Sequence, residues 1–126
     1  MPQSLAPPTI VPPVGGYHHG VLAPPFLFVS GQTPERPDGT VSSDAEEQLR
    51  QIWTNIEAVL AEAEMDLRHL AHVRTYLANR DVRSLNTAVR RAVLGDHRPA
   101  LTVVICTLFE PDWVAEIEAI AYRRSD

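Results

Sequence analysis

The chain of 126 residues contains no lysine, and its eleven cationic side chains are all arginines. Without a lysine amine the protein cannot form a Schiff base through its own side chain, a route open to many carbonyl and imine enzymes. Any imine chemistry must therefore use water. The net charge of −5, with no basic patch, argues against a nucleic-acid partner, because that affinity depends on clustered cations.

Cysteines and long apolar runs are also scarce. The single cysteine, Cys106, cannot form an internal disulfide or a thiolate metal cluster, and we interpret it as a small buried side chain. No apolar run approaches the ~20 residues that span a bilayer, and Met1–Ser4 lacks the features of a secretion signal. The sequence predicts a cytoplasmic protein that needs no membrane, metal or cofactor.

The length predicts a single domain over residues 1–126, since domains commonly run to about 100–150 residues. Seven of the eleven prolines fall within residues 2–25. Proline lacks the backbone N–H that a helix or a central strand needs, so this segment is predicted to be an extended arm with short, edge-like strands at most.

Hydrophobic periodicity predicts six elements after the arm. They are a strand at Phe26–Gln32, a helix at about Asp44–Glu64, a strand at Val73–Leu77, a helix at about Val82–Leu94, and strands at Ala100–Leu108 and Trp113–Tyr122, with an ambiguous extra strand near Tyr17–Leu22. Ser43 and Glu46 form a capping-box pattern before the first helix. Gly95 is the predicted stop of the second helix, whose inward residues would include Ala88 and Ala92.

Two details concern the end of the chain. Residues 100–108 are nearly all apolar and β-branched, which favours a central strand buried on both faces. Residues 109–112 would then form a short hairpin into the last strand. Two helices over one face give a two-layer α+β domain, and the bare opposite face favours a symmetric homo-oligomer.

The last strand carries two carboxylates on one face. Alternation places Glu116 and Glu118 together with Val114, Ile120 and Tyr122. Two interpretations are open: the face is partly wet or pairs with arginines across an interface, or one glutamate is a half-buried general acid/base. In the second case desolvation and the neighbouring charge would raise its pKa.

A series of short motifs runs in order along nearly the whole chain. The motifs are Gly16-Tyr17, Val29-Ser30-Gly31-Gln32, Asn55-Ile56, Asn86, Arg98-Pro99-Ala100 and Glu116-Ile117-Glu118-Ala119-Ile120-Ala121. In this order they resemble the Rid family of reactive intermediate deaminases, also called YjgF-like or L-PSP proteins. The resemblance implies a chorismate-mutase-like fold, with two helices on one face of a mixed sheet, and a homotrimer with clefts between subunits.

Family deaminases hydrolyse 2-imino or 2-enamino acids to 2-keto acids and ammonia. In them an arginine holds the substrate carboxylate, and a glutamate on the last strand orients water. By resemblance that glutamate is Glu116, while Tyr17, Ser30, Gly31 and Asn86 match other pocket residues.

The chain departs from the family at the arginine. The family's Pro-Ala-Arg-Ser reads Pro99-Ala100-Leu101-Thr102 here, and a cysteine found two positions further on is Val103. A charge-assisted bond from arginine contributes ~1.5–3 kcal/mol, and leucine offers none. We therefore expect ordinary 2-imino acids to be poor substrates.

Two more residues are candidates for the site, each with an alternative. Arg98 either enters the pocket or makes a surface or intersubunit contact. His18 is either an acid/base group near the cleft or, with His19, part of an exposed arm. Adjacent histidines on an extended segment point apart, so no metal site is predicted.

The sequence leaves three functions open. The first is a hydrolase or deaminase of an imine, enamine or related small carbonyl-derived compound. The second is a non-catalytic trimer that binds or senses a small molecule, which the leucine at position 101 favours. The third is a ribonuclease or translation inhibitor, against which the acidic charge argues.

Overall fold

A computed structural model describes residues 2–124. The elements are β1 (Gln3–Leu5), β2 (Gly20–Ala23), β3 (Phe26–Gln32), α1 (Ala45–Glu62), β4 (Leu70–Leu77), α2 (Arg83–Leu94), β5 (Ala100–Ile105) and β6 (Ala115–Tyr122). Within the described residues the strands form one six-stranded sheet in the order β1-β2-β3-β6-β4-β5. The β4–β5 pair is parallel and the other pairs are antiparallel. The two-layer α+β prediction is confirmed.

The sheet face beneath the helices is apolar and closed. The β6 residues on this face are all buried: Ala115, Ile117, Ala119 and Ala121. Those of β4 are Val73, Thr75 and Leu77, which is the side that alternation predicted. Leu49, Ile52, Trp53 and Ile56 of α1 complete the centre of this core. Each large apolar side chain buried here stabilises the fold by roughly 1.5–3 kcal/mol.

The helix ends differ slightly from the prediction. Asp44 caps α1, because its carboxylate accepts a bond from the Glu47 N–H at 2.9 Å, so the cap lies one residue after Ser43. Gly95 ends α2 with φ of 59°, as predicted.

The predicted inward face of α2 is wrong in part. Its Ala88 and Ala92 are exposed, whereas Asn86, Val89 and Leu94 are buried. Because α2 packs chiefly against α1, a narrow stripe of buried residues along α2 is enough to form this contact.

The predictions for β5 and the connection after it were wrong. The strand is an edge strand, with every residue exposed in the described chain, and it ends at Ile105. Residues 109–112 do not form a hairpin, because β6 pairs with β3 and β4 instead of β5. Composition favours strand, but sheet order decides which strand lies at the edge. The last strand begins at Ala115 and not at Trp113.

The proline-rich segment contributes two short strands, β1 and β2, which pair with each other and then with β3. The ambiguous strand near residues 17–22 is therefore real, at Gly20–Ala23. Beside it the face away from the helices carries a cluster of exposed rings. Phe26 lies 5.5 Å from Tyr122 and 6.2 Å from Phe28, measured between ring centres. Among residues 2–124, no helix is long and apolar enough to cross a bilayer.

Candidate functional site

The two carboxylates of β6 face away from the helices, next to polar side chains of β4. Antiparallel register places Tyr76 opposite Glu116 and Arg74 opposite Glu118. Glu118 accepts a short bond from the Tyr76 hydroxyl and a 3.3 Å bond from Arg74 Nη1. Two neighbouring side chains of β4 therefore donate to the Glu118 carboxylate.

Glu116 is in a different environment. Its side chain is half-buried, and no described residue gives its carboxylate a hydrogen bond. Burial raises the pKa of Glu116 above its ordinary value, and the charge of Glu118 raises it further. A carboxylate with a raised pKa is a better proton acceptor, which suits a general base.

A β-bulge brings the backbone of β3 against this carboxylate. Between Val29 and Gln32 the strand has one residue more than β6, so Ser30 and Gly31 form the irregularity. A Cβ added to Gly31 would collide with Oε2 of Glu116 and lie 3.0 Å from its Cδ. Only glycine lets the backbone come this close to the carboxylate.

Two clefts meet at this bulge. One, of 270 Å³, is lined by Gly31, Tyr76, Cys106, Thr107, Leu108, Phe109, Glu116 and Glu118. The other, of 460 Å³, shares Gly31 and Phe109 with it and contains Tyr17 and His19. The sequence did not lead us to select Tyr76 or Phe109 as residues of the site. Alternation along β4 could have indicated Tyr76, because it places Tyr76 on the other face of the sheet from Thr75 and Leu77, which are buried.

The histidines of the arm separate into two roles. His19 is buried, and its Nε2 donates to the Val11 carbonyl at 2.6 Å while its Nδ1 accepts from the Gln32 amide at 3.1 Å. A carbonyl only accepts, so Nε2 carries the proton. His18 is exposed, and its carbonyl accepts from the Ser30 hydroxyl at 2.6 Å. His19 therefore ties the arm to the bulge, and the Ser30 hydroxyl donates to the arm as well. Neither Ser30 nor His18 is among the residues that line the two clefts.

Leu101 lies on the other side of the sheet. It pairs with the buried Val73, and it lines a pocket of 120 Å³ beside the end of α2. Arg98 lines the same pocket, and Val103 follows two residues along the exposed edge. Within one chain, Leu101 and Glu116 therefore do not share a cleft.

Asn86 lies in neither place. It is buried in α2, and its Oδ1 has no hydrogen-bond partner among the described residues. The structure thus brings Glu116 and Gly31 together, with Tyr17 in the adjoining cleft, and separates them from Asn86 and Leu101. In residues 2–124 no three His, Cys, Asp or Glu side chains cluster closely enough to hold a metal ion.

Comparison with known proteins identifies the family of the chain. The family model named Endoribonuclease L-PSP matches residues 9–123, nearly the whole chain. The chain belongs to the Endoribonuclease L-PSP family. Its relatives in this family include a RutC family protein of Pyrococcus horikoshii, 34% identical over 113 residues that cover 88% of this chain and 90% of that protein.

Two further similar proteins connect the chain to the Rid proteins. The 2-iminobutanoate/2-iminopropanoate deaminase of Salmonella typhimurium is 27% identical over 128 residues, covering 98% of this chain and 100% of that protein. The crystal structure of the YjgF gene product of E. coli matches with a TM-score of 0.91 at 27% identity, covering 97% of this chain and 99% of that one. The resemblance to the Rid family and the YjgF-like fold are thereby confirmed.

Proposed function

We propose that the protein is a hydrolase that deaminates a small imine, enamine or related carbonyl-derived compound. The observation that carries the proposal is the half-buried Glu116 carboxylate, which lies over Gly31 at the edge of a cleft and has a raised pKa. The similarity to a 2-iminobutanoate/2-iminopropanoate deaminase supports the same reaction class.

The reaction needs one water and no cofactor. The oxygen of water attacks the carbon of the C=N bond while Glu116 accepts one proton, which then passes to the nitrogen. The hydroxyl proton of the resulting carbinolamine then moves to the nitrogen, the C–N bond breaks, ammonia leaves, and the carbonyl compound remains. The backbone N–H of Gly31 and the side chains of Tyr17 and His18 are the proposed donors to the substrate, and Ser30 is an acceptor.

The proposed substrate is not an ordinary 2-imino acid, because Leu101 cannot hold a carboxylate beside the reacting carbon. Leu101 instead gives its pocket an apolar lining. The test is a panel of enzymatically generated imines, some with the carboxylate on the reacting carbon and some without, with ammonia release measured for each. If ammonia release is faster from the 2-imino acids, then Leu101 does not exclude these substrates and the proposed role of Leu101 is wrong.

A homotrimer is part of the proposal. The bare aromatic face and the exposed edge at β5 both favour association. Leu101 and Glu116 lie on opposite sides of the sheet, so a small molecule touches both only if a neighbouring chain supplies one of them. Sedimentation that showed only monomer would contradict this assembly. A cytoplasmic location stays a prediction.

The direct test of Glu116 is the Glu116→Gln variant. It keeps the size of the side chain and removes the proton acceptor, so ammonia release should fall by about 10²–10⁴-fold. Glu57→Gln, on the exposed face of α1, is the matched control and should keep full activity. If Glu116→Gln works as fast as the parent, the role of Glu116 is wrong.

A second candidate is a non-catalytic trimer that binds or senses a small molecule, and Leu101 is the observation that favours it. Binding of a substrate analogue without ammonia release by the parent protein would select this candidate. We do not extend the ribonuclease in the family name to this chain, because its net charge is −5 and it contains no lysine.

A further inference from the structure

The pocket beside Leu101 is strongly cationic. Three arginines line it, Arg90 and Arg91 from α2 and Arg98 from the loop that follows, and His97 joins them. No aspartate or glutamate is among its lining residues. In an acidic chain, this convergence of positive charge is unusual and calls for an anionic partner.

These three arginines also lack carboxylate partners among residues 2–124. Other arginines of the chain have them: Arg36 with Glu47, Arg50 with Glu46, Arg68 with Asp66 and Arg74 with Glu118. Arg90 is partly desolvated, and both this burial and repulsion by the other two arginines lower its pKa. The pocket thus concentrates positive charge that the described chain does not neutralise.

The simplest alternative is that the arginines serve the C-terminus of α2, where cations are favourable. This explains Arg98, whose Nη1 donates to the Gly95 carbonyl and, at 3.1 Å, to the His97 carbonyl. It does not explain Arg90 or Arg91, for which no described hydrogen bond to the helix end exists. The two hydrogen bonds of Arg98 also hold its side chain in place at the pocket.

The remaining lining is apolar. Leu94, Pro99 and Leu101 form it, and the pocket has a volume of 120 Å³. A space of this size suits a carboxylate or phosphate with a few carbon atoms. A small amphipathic anion would match both the positive charge of the arginines and the apolar part of the lining.

We propose that the Arg90–Arg91–Arg98 pocket binds an oxyanion carried on a short apolar body. The inference rests on the proposed function in one respect, because it adds a feature to the substrate class. The anion would be held by arginines of α2 and the following loop, on the opposite side of the sheet from the Glu116 carboxylate. The acid group of the substrate is therefore separated from the reacting carbon by a spacer, unlike that of a 2-imino acid.

The test titrates butanoate, butanamide and inorganic phosphate into the full-length ¹⁵N-labelled protein at constant ionic strength. Butanoate should saturate, with the largest amide shifts at Leu94 and Leu101. Butanamide, its neutral isostere, should bind at least tenfold more weakly, because it lacks the charge. Phosphate should also bind more weakly than butanoate, since it leaves the apolar floor uncovered. Equal binding of butanoate and butanamide, or shifts centred elsewhere, would overturn the site; phosphate binding as tightly as butanoate would overturn the apolar body.

A pair of double variants separates a pocket from general charge attraction. Arg90→Gln with Arg98→Gln should weaken butanoate binding at least tenfold. Arg80→Gln with Arg83→Gln removes the same charge from exposed positions at the start of α2 and should change it less than twofold. Equal weakening in both would overturn the proposal.

One more variant keeps this inference distinct from the proposed function. Glu116→Gln should lower turnover by about 10²–10⁴-fold and leave butanoate affinity within twofold of the parent, because the pocket and Glu116 lie on opposite sides of the sheet. A parent protein that binds butanoate as expected but hydrolyses no imine would contradict only the proposed function. If the protein hydrolyses an imine but binds butanoate equally well without Arg90 and Arg98, only the anion pocket is contradicted.

Discussion

The two sides of the sheet carry opposite chemistry. On the open face, Glu116 and Glu118 make an acidic cleft in which one carboxylate is bonded and the other is not. On the helix side, the pocket at Leu101 is cationic around an apolar floor. The difference indicates that proton transfer and ligand holding are divided between two surfaces of the chain.

This division has a consequence for variation in the family. The environment of Glu116 depends on Gly31, Tyr76 and Glu118, none of which contacts the pocket at Leu101. A change at position 101 can therefore alter which compound is held while the carboxylate keeps its position and its raised pKa. Four predictions test this separation.

The largest expected effect is at the bulge. In Gly31→Ala the new methyl group would occupy the space of the Glu116 carboxylate, which must then move. We expect activity to fall by about 10²-fold, since displacement of a catalytic group by about 1 Å has this effect. The measurement is kcat/KM for the best imine of the panel. Glu57→Gln, on the exposed face of α1, is again the control and should keep full activity; an unchanged kcat/KM in Gly31→Ala would show that the contact is unimportant.

The next prediction concerns the cationic side. Leu101→Arg should raise kcat/KM for 2-iminobutanoate by about ten- to hundred-fold, because one charge-assisted bond contributes ~1.5–3 kcal/mol. Leu101→Met keeps an apolar stem and should not change it. No gain from the arginine would mean that position 101 does not contact the substrate.

A smaller effect is expected in the support of the bulge. His19→Ala removes the partner of both the Val11 carbonyl and the Gln32 amide inside the fold. The free energy of unfolding should fall by about 1–3 kcal/mol, the usual effect of leaving buried polar groups unpaired. Urea denaturation measures it. The exposed neighbour gives the control, and His18→Ala should stay within about 0.5 kcal/mol of the parent; equal losses would contradict the separate roles of the two histidines.

The sequence predicted the features that depend on the local alternation of apolar and polar residues. It missed the features that depend on which strands pair in the sheet. Alternation was enough to place Ala115 and Ile117 under the helices and Glu116 and Glu118 on the other face. It could not show that β6 inserts between β3 and β4, which leaves β5 at the edge.

The candidate site was predictable to a similar extent. The family motifs drew attention to Glu116 and Gly31, which the structure brings into contact. The bond between Tyr76 and Glu118 depends on the register of β4 against β6, which no local pattern contains. The cationic pocket was missed because the turn at Gly95 folds Arg98 back toward α2.

The central claim is that Glu116 accepts the proton of the attacking water, and the pH dependence of kcat/KM tests it most directly. A base works only when ionised, so the rate should fall as the pH drops through the raised pKa of Glu116. Glu118→Gln removes the charge that contributes to this raised pKa, so the fall should move to lower pH. A profile without an acid limb, or one that stays in the same place in Glu118→Gln, would contradict the account.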